Sequence, residues 1–90
     1  MSTDRISAIR SALQDRFDPE YLDVVDESHL HDGHAGARSG KGHFRVVIIS
    51  EAFAGMTRLR RHQAVFDALG NLMDTDIHAL SIQPATPDEV

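Results

Sequence analysis

Apolar residues recur along this chain in two distinct periods, and the period changes three times. Ile6, Ile9, Leu13 and Phe17 stand three and four positions apart, the spacing of one face of an amphipathic helix over residues 4–17. Ser2, Thr3 or Asp4 is placed to cap its start, and Asp18-Pro19 ends it. The pattern then shortens to a strand at Tyr21–Asp26, with Leu22 and Val24 facing inward. From His43 to Ser50 strict alternation returns: Phe44, Val46 and Ile48 line one face, Arg45, Val47 and Ile49 the other. Phe53-Ala54-Gly55 reads as a turn, and Thr57 as the cap of a second helix over 58–72. Its apolar stripe is Leu59, His62, Val65, Phe66, Leu69, Leu72 and Met73, weakened late by Gly70. Asp74-Thr75-Asp76 connects to a third strand at Ile77–Gln83, with His78, Leu80 and Ile82 on one parity and Pro84 as its stop. Thr86 and Pro87 are placed to open a last helical turn.

The order α-β-β-α-β predicts a single α+β domain over residues 1–90. Strands one and two pair as antiparallel neighbours, and strands two and three as a parallel pair bridged by the second helix in a right-handed crossover. A three-stranded mixed sheet with both helices on one face is a two-layer sandwich. Its other face, carrying Arg45, Val47, Ile49, Ala79 and Ser81, is left to solvent or to a partner. Between strands one and two lies a loop, residues 27–42, with four glycines and no apolar pattern. Loops beyond about 12 to 15 residues in a compact domain are usually functional or disordered.

Composition narrows the function classes. Ninety residues with 41% hydrophobic and 26% charged side chains describe an ordinary globular protein. No apolar run approaches the ~20 residues of a membrane helix, and the first residues lack the design of a secretion signal. The chain has no cysteine, which excludes disulfides and suits a reducing, cytoplasmic setting. A formal net charge of −5 argues against broad phosphate binding, which draws on many Lys and Arg contacts. The densest basic group is Arg58, Arg60, Arg61 and His62, with Arg38 and Lys41 apart in the loop.

The candidate chemistry is imidazole. Four of six histidines, His29, His31, His34 and His43, fall within residues 29–43. Histidine is the commonest metal ligand, although His29-x-His31-x-x-His34 matches no standard zinc signature. Catalysis finds no support: neither Ser28 nor Ser50 has a recognisable base and orienting group nearby, and phosphate-binding glycine signatures are missing. His62, on the apolar stripe, reads as a core histidine with its nitrogens satisfied. His43 is either structural or at the border of a site.

Taken together, Asp26-Glu27-Ser28, His34-Ala35-Gly36, His43-Phe44-Arg45-Val46 with Ser50, Phe53-x-Gly55, Arg61-His62, His78-Ala79-Leu80 and Thr86-Pro87 resemble BolA-like proteins in order and spacing. The resemblance implies a fold related to the type II KH domain. It also implies a non-enzymatic module that pairs with a monothiol glutaredoxin and shares a [2Fe–2S] cluster, acting in iron–sulfur trafficking or iron and redox regulation. In such a complex the glutaredoxin supplies one cysteine and bound glutathione another. The BolA-like subunit supplies a histidine near the start of its last strand, matched here by His78. A second His or Cys comes from the loop, which places it at His34, with His31 and His29 as alternates. Two imidazoles on one iron raise a cluster's reduction potential, and a chain without cysteine completes such a site only with a partner that brings sulfur. The alternative is a DNA-binding transcriptional or morphogenetic stress regulator that uses its KH-like face, with Arg58, Arg60, Arg61 and Arg45 as contacts to nucleic acid or to a partner. Against it stand the net charge, the missing GxxG loop, and Gln63 where the family most often has a further basic residue.

Overall fold

The computed structural model describes residues 2–27 and 42–90. Its elements run α1 (Ser2–Phe17), β1 (Tyr21–Asp26), β2 (Gly42–Ile49), a 3-10 turn (Glu51–Phe53), α2 (Arg58–Leu69), a short α3 (Leu72–Thr75), β3 (Ile77–Ala85) and a closing 3-10 turn (Pro87–Glu89). The sheet order is β1-β2-β3, with β1 antiparallel and β3 parallel to the central β2, and α1 and α2 pack against one face of it. The expected two-layer mixed-sheet architecture is the one observed. No described helix is long and apolar enough to cross a membrane.

Each element follows from local chemistry. The α1 stripe buries Ile9, Leu13 and Phe17, with Ile6 packed at its edge. The helix begins at Ser2, so the three residues expected to cap it lie inside it. It ends where Asp18 turns left-handed at φ 44°, a conformation aspartate tolerates better than most residues, with its N–H donating to Gln14 O at 3.0 Å. The predicted strand at Tyr21–Asp26 has those limits, with Val24 buried and Leu22 packed against the core. In β2 every second residue is inside: Phe44, Val46 and Ile48 are almost fully buried and Arg45, Val47 and Ile49 half-buried. Each fully buried aliphatic or aromatic side chain contributes about 1.5–3 kcal/mol relative to an exposed one.

Four expectations about the second half change. The helix from Arg58 stops at Leu69, not 72, because Gly70 takes φ 52° and its N–H closes the last turn on Phe66 O. A separate single turn follows over Leu72–Thr75, so Asp74 and Thr75 are helical. The predicted stripe also splits: Val65 and Leu69 are buried, but Leu59 and Phe66 point to solvent, at 67% and 38% exposure. The inner face is completed by Ala64 and Ala68, small enough for close helix packing. Pro84, expected to stop the last strand, lies within β3 instead. Ala85 O accepts from Ser50 N, on the β2 side. By strand alternation the backbone of Pro84 points away from β2, where its missing N–H costs no ladder bond.

Ser50, expected as the last residue of the second strand, caps the 3-10 turn instead and is 1% exposed. Its hydroxyl donates to Phe17 O at 2.7 Å and accepts from Ala52 N at 3.1 Å, joining the end of α1 to the end of β2. Ser50→Ala leaves a buried carbonyl and an N–H without that partner, and is expected to cost about 1–3 kcal/mol. Urea unfolding checks this: the midpoint falls while the slope stays that of the parent chain.

Candidate functional site

The start of β3 holds the clearest site-forming irregularity. In the β2–β3 register Gly42 stands opposite Ile77 and His43 opposite Ala79, so His78 is an extra residue in the ladder. A bulge of this kind re-aims side chains and is frequent beside functional sites. Its effect is visible in burial: Ile77 is 2% exposed and inside the core, His78 points out, and the inward parity resumes at Leu80 and Ile82. The expected shared parity of His78 with Leu80 and Ile82 is therefore corrected. Without the bulge, His78 would be directed toward the core.

His78 does not stand alone. Its ring lies 5.0 Å from that of His43, centroid to centroid, with the planes tilted by 57°. His43 is half-buried, and its backbone carbonyl accepts from Glu27 N at 2.7 Å, which closes the β1–β2 ladder just beyond its last registered pair. A small cleft of about 200 Å³ sits here between Glu27, His43, Phe44 and Ala79–Ser81. Glu27 also faces Arg45, at 3.4 Å. The chain before His78 is fixed from two sides. Asp76 O accepts from Gly42 N at 2.9 Å, and the Asp76 carboxylate meets Arg5 Nε at 3.3 Å and the Thr75 hydroxyl at 2.9 Å.

The other predicted ligands, His34, His31 and His29, lie outside the described residues. What the structure does place is both ends of that segment: Glu27 and Gly42 flank it at the same end of the sheet as His78. Among the described residues no three His, Cys, Asp or Glu side chains converge as a metal would require. His43 and His78 thus supply an imidazole pair and no complete donor set. The Nε2 of His62 is shielded from solvent and has no hydrogen-bond partner among the described residues, so the expected satisfied core histidine is not found.

The arginines do not form one free cationic patch, since Arg45 faces Glu27 and Arg61 is bound to Glu89. Arg45 sits on the open sheet face beside Glu27, and Arg58 and Arg60 are exposed on the first turn of α2, whose Thr57 cap accepts from Arg60 N at 3.2 Å. Arg61 turns to the C-terminal segment. Its guanidinium donates to both Glu89 oxygens, at 2.6 and 2.8 Å, and to Met56 O and Pro84 O. Those hydrogen bonds from Arg61, with one from Thr86 N, hold the Glu89 carboxyl down at about 2, and Glu89 in turn raises Arg61. The sequence signal for this clasp was available in Thr86-Pro87-Asp88-Glu89, a capping box in which Glu89 is the third helical residue.

Because the folded-state carboxyl lies below its ordinary value of 4.5, Glu89 contributes stability above that pH and loses it as pH falls toward 2. Glu89→Gln is therefore expected to flatten the acid limb between about pH 4.5 and 2. Thermal melts across that window check it, and a limb as steep as the parent's would remove the assignment.

Comparison with known proteins agrees with the fold. A family model described as BolA-like protein matches residues 13–89. A Sinorhizobium sp protein named "Uncharacterized protein in cobS 5'region" is 47% identical over 90% of this chain and 89% of its own. A Vibrio cholerae protein named "DNA-binding transcriptional regulator BolA" is 40% identical over 90% of this chain and 74% of its own. The solved BolA domain of SufE1 from Arabidopsis thaliana superposes with a TM-score of 0.85 at 40% identity, covering 96% of this chain and 95% of that domain. The chain spans only 24% of the whole A. thaliana "SufE-like protein 1, chloroplastic/mitochondrial".

Proposed function

Since the chain belongs to the BolA-like protein family, we propose that it is a non-enzymatic binding module which docks on a monothiol glutaredoxin and helps to hold a bridging [2Fe–2S] cluster. The observation that carries this reading is the bulge that lifts His78 out of the core beside His43, at the end of the sheet where the histidine-rich segment leaves and returns. His78 donates one nitrogen to iron, and His34 the second, with His31 and His29 as alternates. The partner's cysteine and glutathione complete the set, which accounts for a ligand-rich protein with no thiol of its own. The donor chemistry fits: neutral imidazoles and thiolates together are an accepted ligand set for this cluster type. Imidazole must be neutral to bind a metal, so assembly weakens below the histidine range.

The test is reconstitution. The full chain is mixed with a monothiol glutaredoxin, glutathione, iron and sulfide, and the complex is purified by size exclusion. A heterodimer carrying a visible spectrum distinct from that of the glutaredoxin mixture alone supports the reading. Glutaredoxin that elutes alone, with its own spectrum, removes it.

A second reading, direct DNA binding, is favoured by the name of the Vibrio cholerae relative, a DNA-binding transcriptional regulator. The charge distribution weighs against it, since Arg61 is neutralised by Glu89 and the chain carries −5. Phosphate contact predicts an affinity that falls steeply with salt, with a slope near −0.9 per phosphate neutralised. Absence of binding to duplex DNA even at low salt removes that reading.

A further inference from the structure

At the end of the sheet opposite His78 a groove of about 490 Å³ crosses the open face and rounds the end of β3. Its apolar walls are Val47, Ile49, Met56, Pro84, Ala85 and Val90. Three charged side chains border it, Arg58, Arg61 and Glu89. Two of these cancel, since both Glu89 oxygens are bound by Arg61, which also occupies the outward-facing carbonyl of Pro84. Arg58 is different. It is exposed, and among the described residues it has no ion-pair or hydrogen-bond partner.

The groove therefore presents aliphatic walls and one uncompensated cation, in a chain whose net charge of −5 repels polyanions. A nucleic acid backbone draws its affinity from several such cations at once. A single carboxylate set between apolar side chains needs only one, and a mostly apolar pocket with one placed polar group is the usual design for such recognition. The paired state of Glu89 matters as well, because its charge is already spent on Arg61 and opposes an incoming carboxylate only weakly.

We propose that this groove docks an acidic-apolar segment of a partner protein, an extended stretch whose Glu or Asp side chain pairs with Arg58 while its apolar neighbours cover Val47, Ile49 and Ala85. The site is roughly 20 Å from His78, six residues along β3 at ~3.3 Å each. It is independent of the cluster reading and leaves the histidine end free for another protein.

The probe is a fluorescein-labelled hexapeptide of alternating leucine and glutamate with both ends blocked, titrated into the full chain by anisotropy and by amide NMR. Saturable binding is expected, with shifts gathered at Val47, Ile49, Ala85 and Val90. Arg58→Ala is expected to weaken it by about three- to fivefold, the upper range for an exposed ion pair. A glutamine version of the peptide loses a similar factor, and the two losses do not add. Arg60→Ala, outside the groove, leaves binding within about twofold, as for surface changes that touch nothing. Any of four results overturns the proposal: no saturation, binding unchanged in Arg58→Ala, shifts gathered at His43 and His78, or displacement of the peptide by a single-stranded oligonucleotide.

Discussion

Replacing His78 by alanine is expected to abolish the mixed cluster with glutaredoxin while leaving the fold intact. His78 is exposed and lies in a bulge, so its side chain carries no core packing. Surface changes of that kind shift stability by about 0.5 kcal/mol or less. The effect on the metal is of another order. Loss of a residue that merely supports a ligand costs roughly 10–100-fold in metal affinity, and loss of the ligand itself costs more. The reconstituted mixture should then show the visible spectrum of glutaredoxin, glutathione, iron and sulfide without this chain. His78→Ala protein that melts with the parent and still gives the parent's spectrum would falsify the ligand assignment. His43→Ala made in parallel reports on the neighbouring ring, whose centroid is 5.0 Å away.

The histidine pair shows how far the sequence reading of the site reaches. The strand carrying His78 was legible from alternation, but its aim was not. Strict period two placed His78 with Leu80 and Ile82, which would direct it toward the core. A bulge adds one residue without a marker in composition, and only the observed register of Gly42 with Ile77 and His43 with Ala79 exposes it. The juxtaposition of His43 and His78 follows from parallel pairing of residues 35 positions apart, which no local pattern encodes. The Arg61–Glu89 clasp is similar. A cluster of arginines on a helix reads as a cationic face, and one of the three is spent on a carboxylate near the C-terminus.

The fold was more legible, because its elements rest on local rules. The helix cap at Thr57, the alternation in β2 and the limits of β1 all stood in the sequence. The errors came where tertiary context decides. Leu59 and Phe66 fit the helical stripe of α2, yet the helix packs Ala64 and Ala68 against the core, and that choice turns the two larger residues outward. Pro84 reads as a stop in the sequence, since proline cannot donate to a strand ladder. It survives in β3 because β3 is an edge, a property of sheet order rather than of the residue.

Phe53→Ala is expected to produce the largest loss of stability. Phe53 is fully buried, although it belongs to a three-residue 3-10 turn on the way from β2 to α2. Its ring lies 4.9 Å from that of Phe17, tilted by 36°, at the point where Ser50 ties α1 to β2. The turn cannot relax freely into the vacated space. Met56 N closes it on Phe53 O at 3.0 Å, and Gly55 holds φ 78° between them. Truncation of a buried phenylalanine costs about 3–5 kcal/mol, more where the site cannot collapse. A chain of ninety residues at roughly 0.05–0.15 kcal/mol per residue holds about 5–13 kcal/mol in all. The substitution therefore removes about a quarter or more of it, and the melting temperature should fall by about 15–30 °C. Phe53→Leu keeps most of the volume and should lose under half as much. A drop of less than about 5 °C in Phe53→Ala would show that the turn repacks after all. The histidine pair provides the internal control, because it lies at the opposite end of β2 from Ser50 and Phe53. At temperatures where Phe53→Ala is still folded, its assembly with glutaredoxin should match the parent's, so a stability lesion and a ligand lesion separate cleanly.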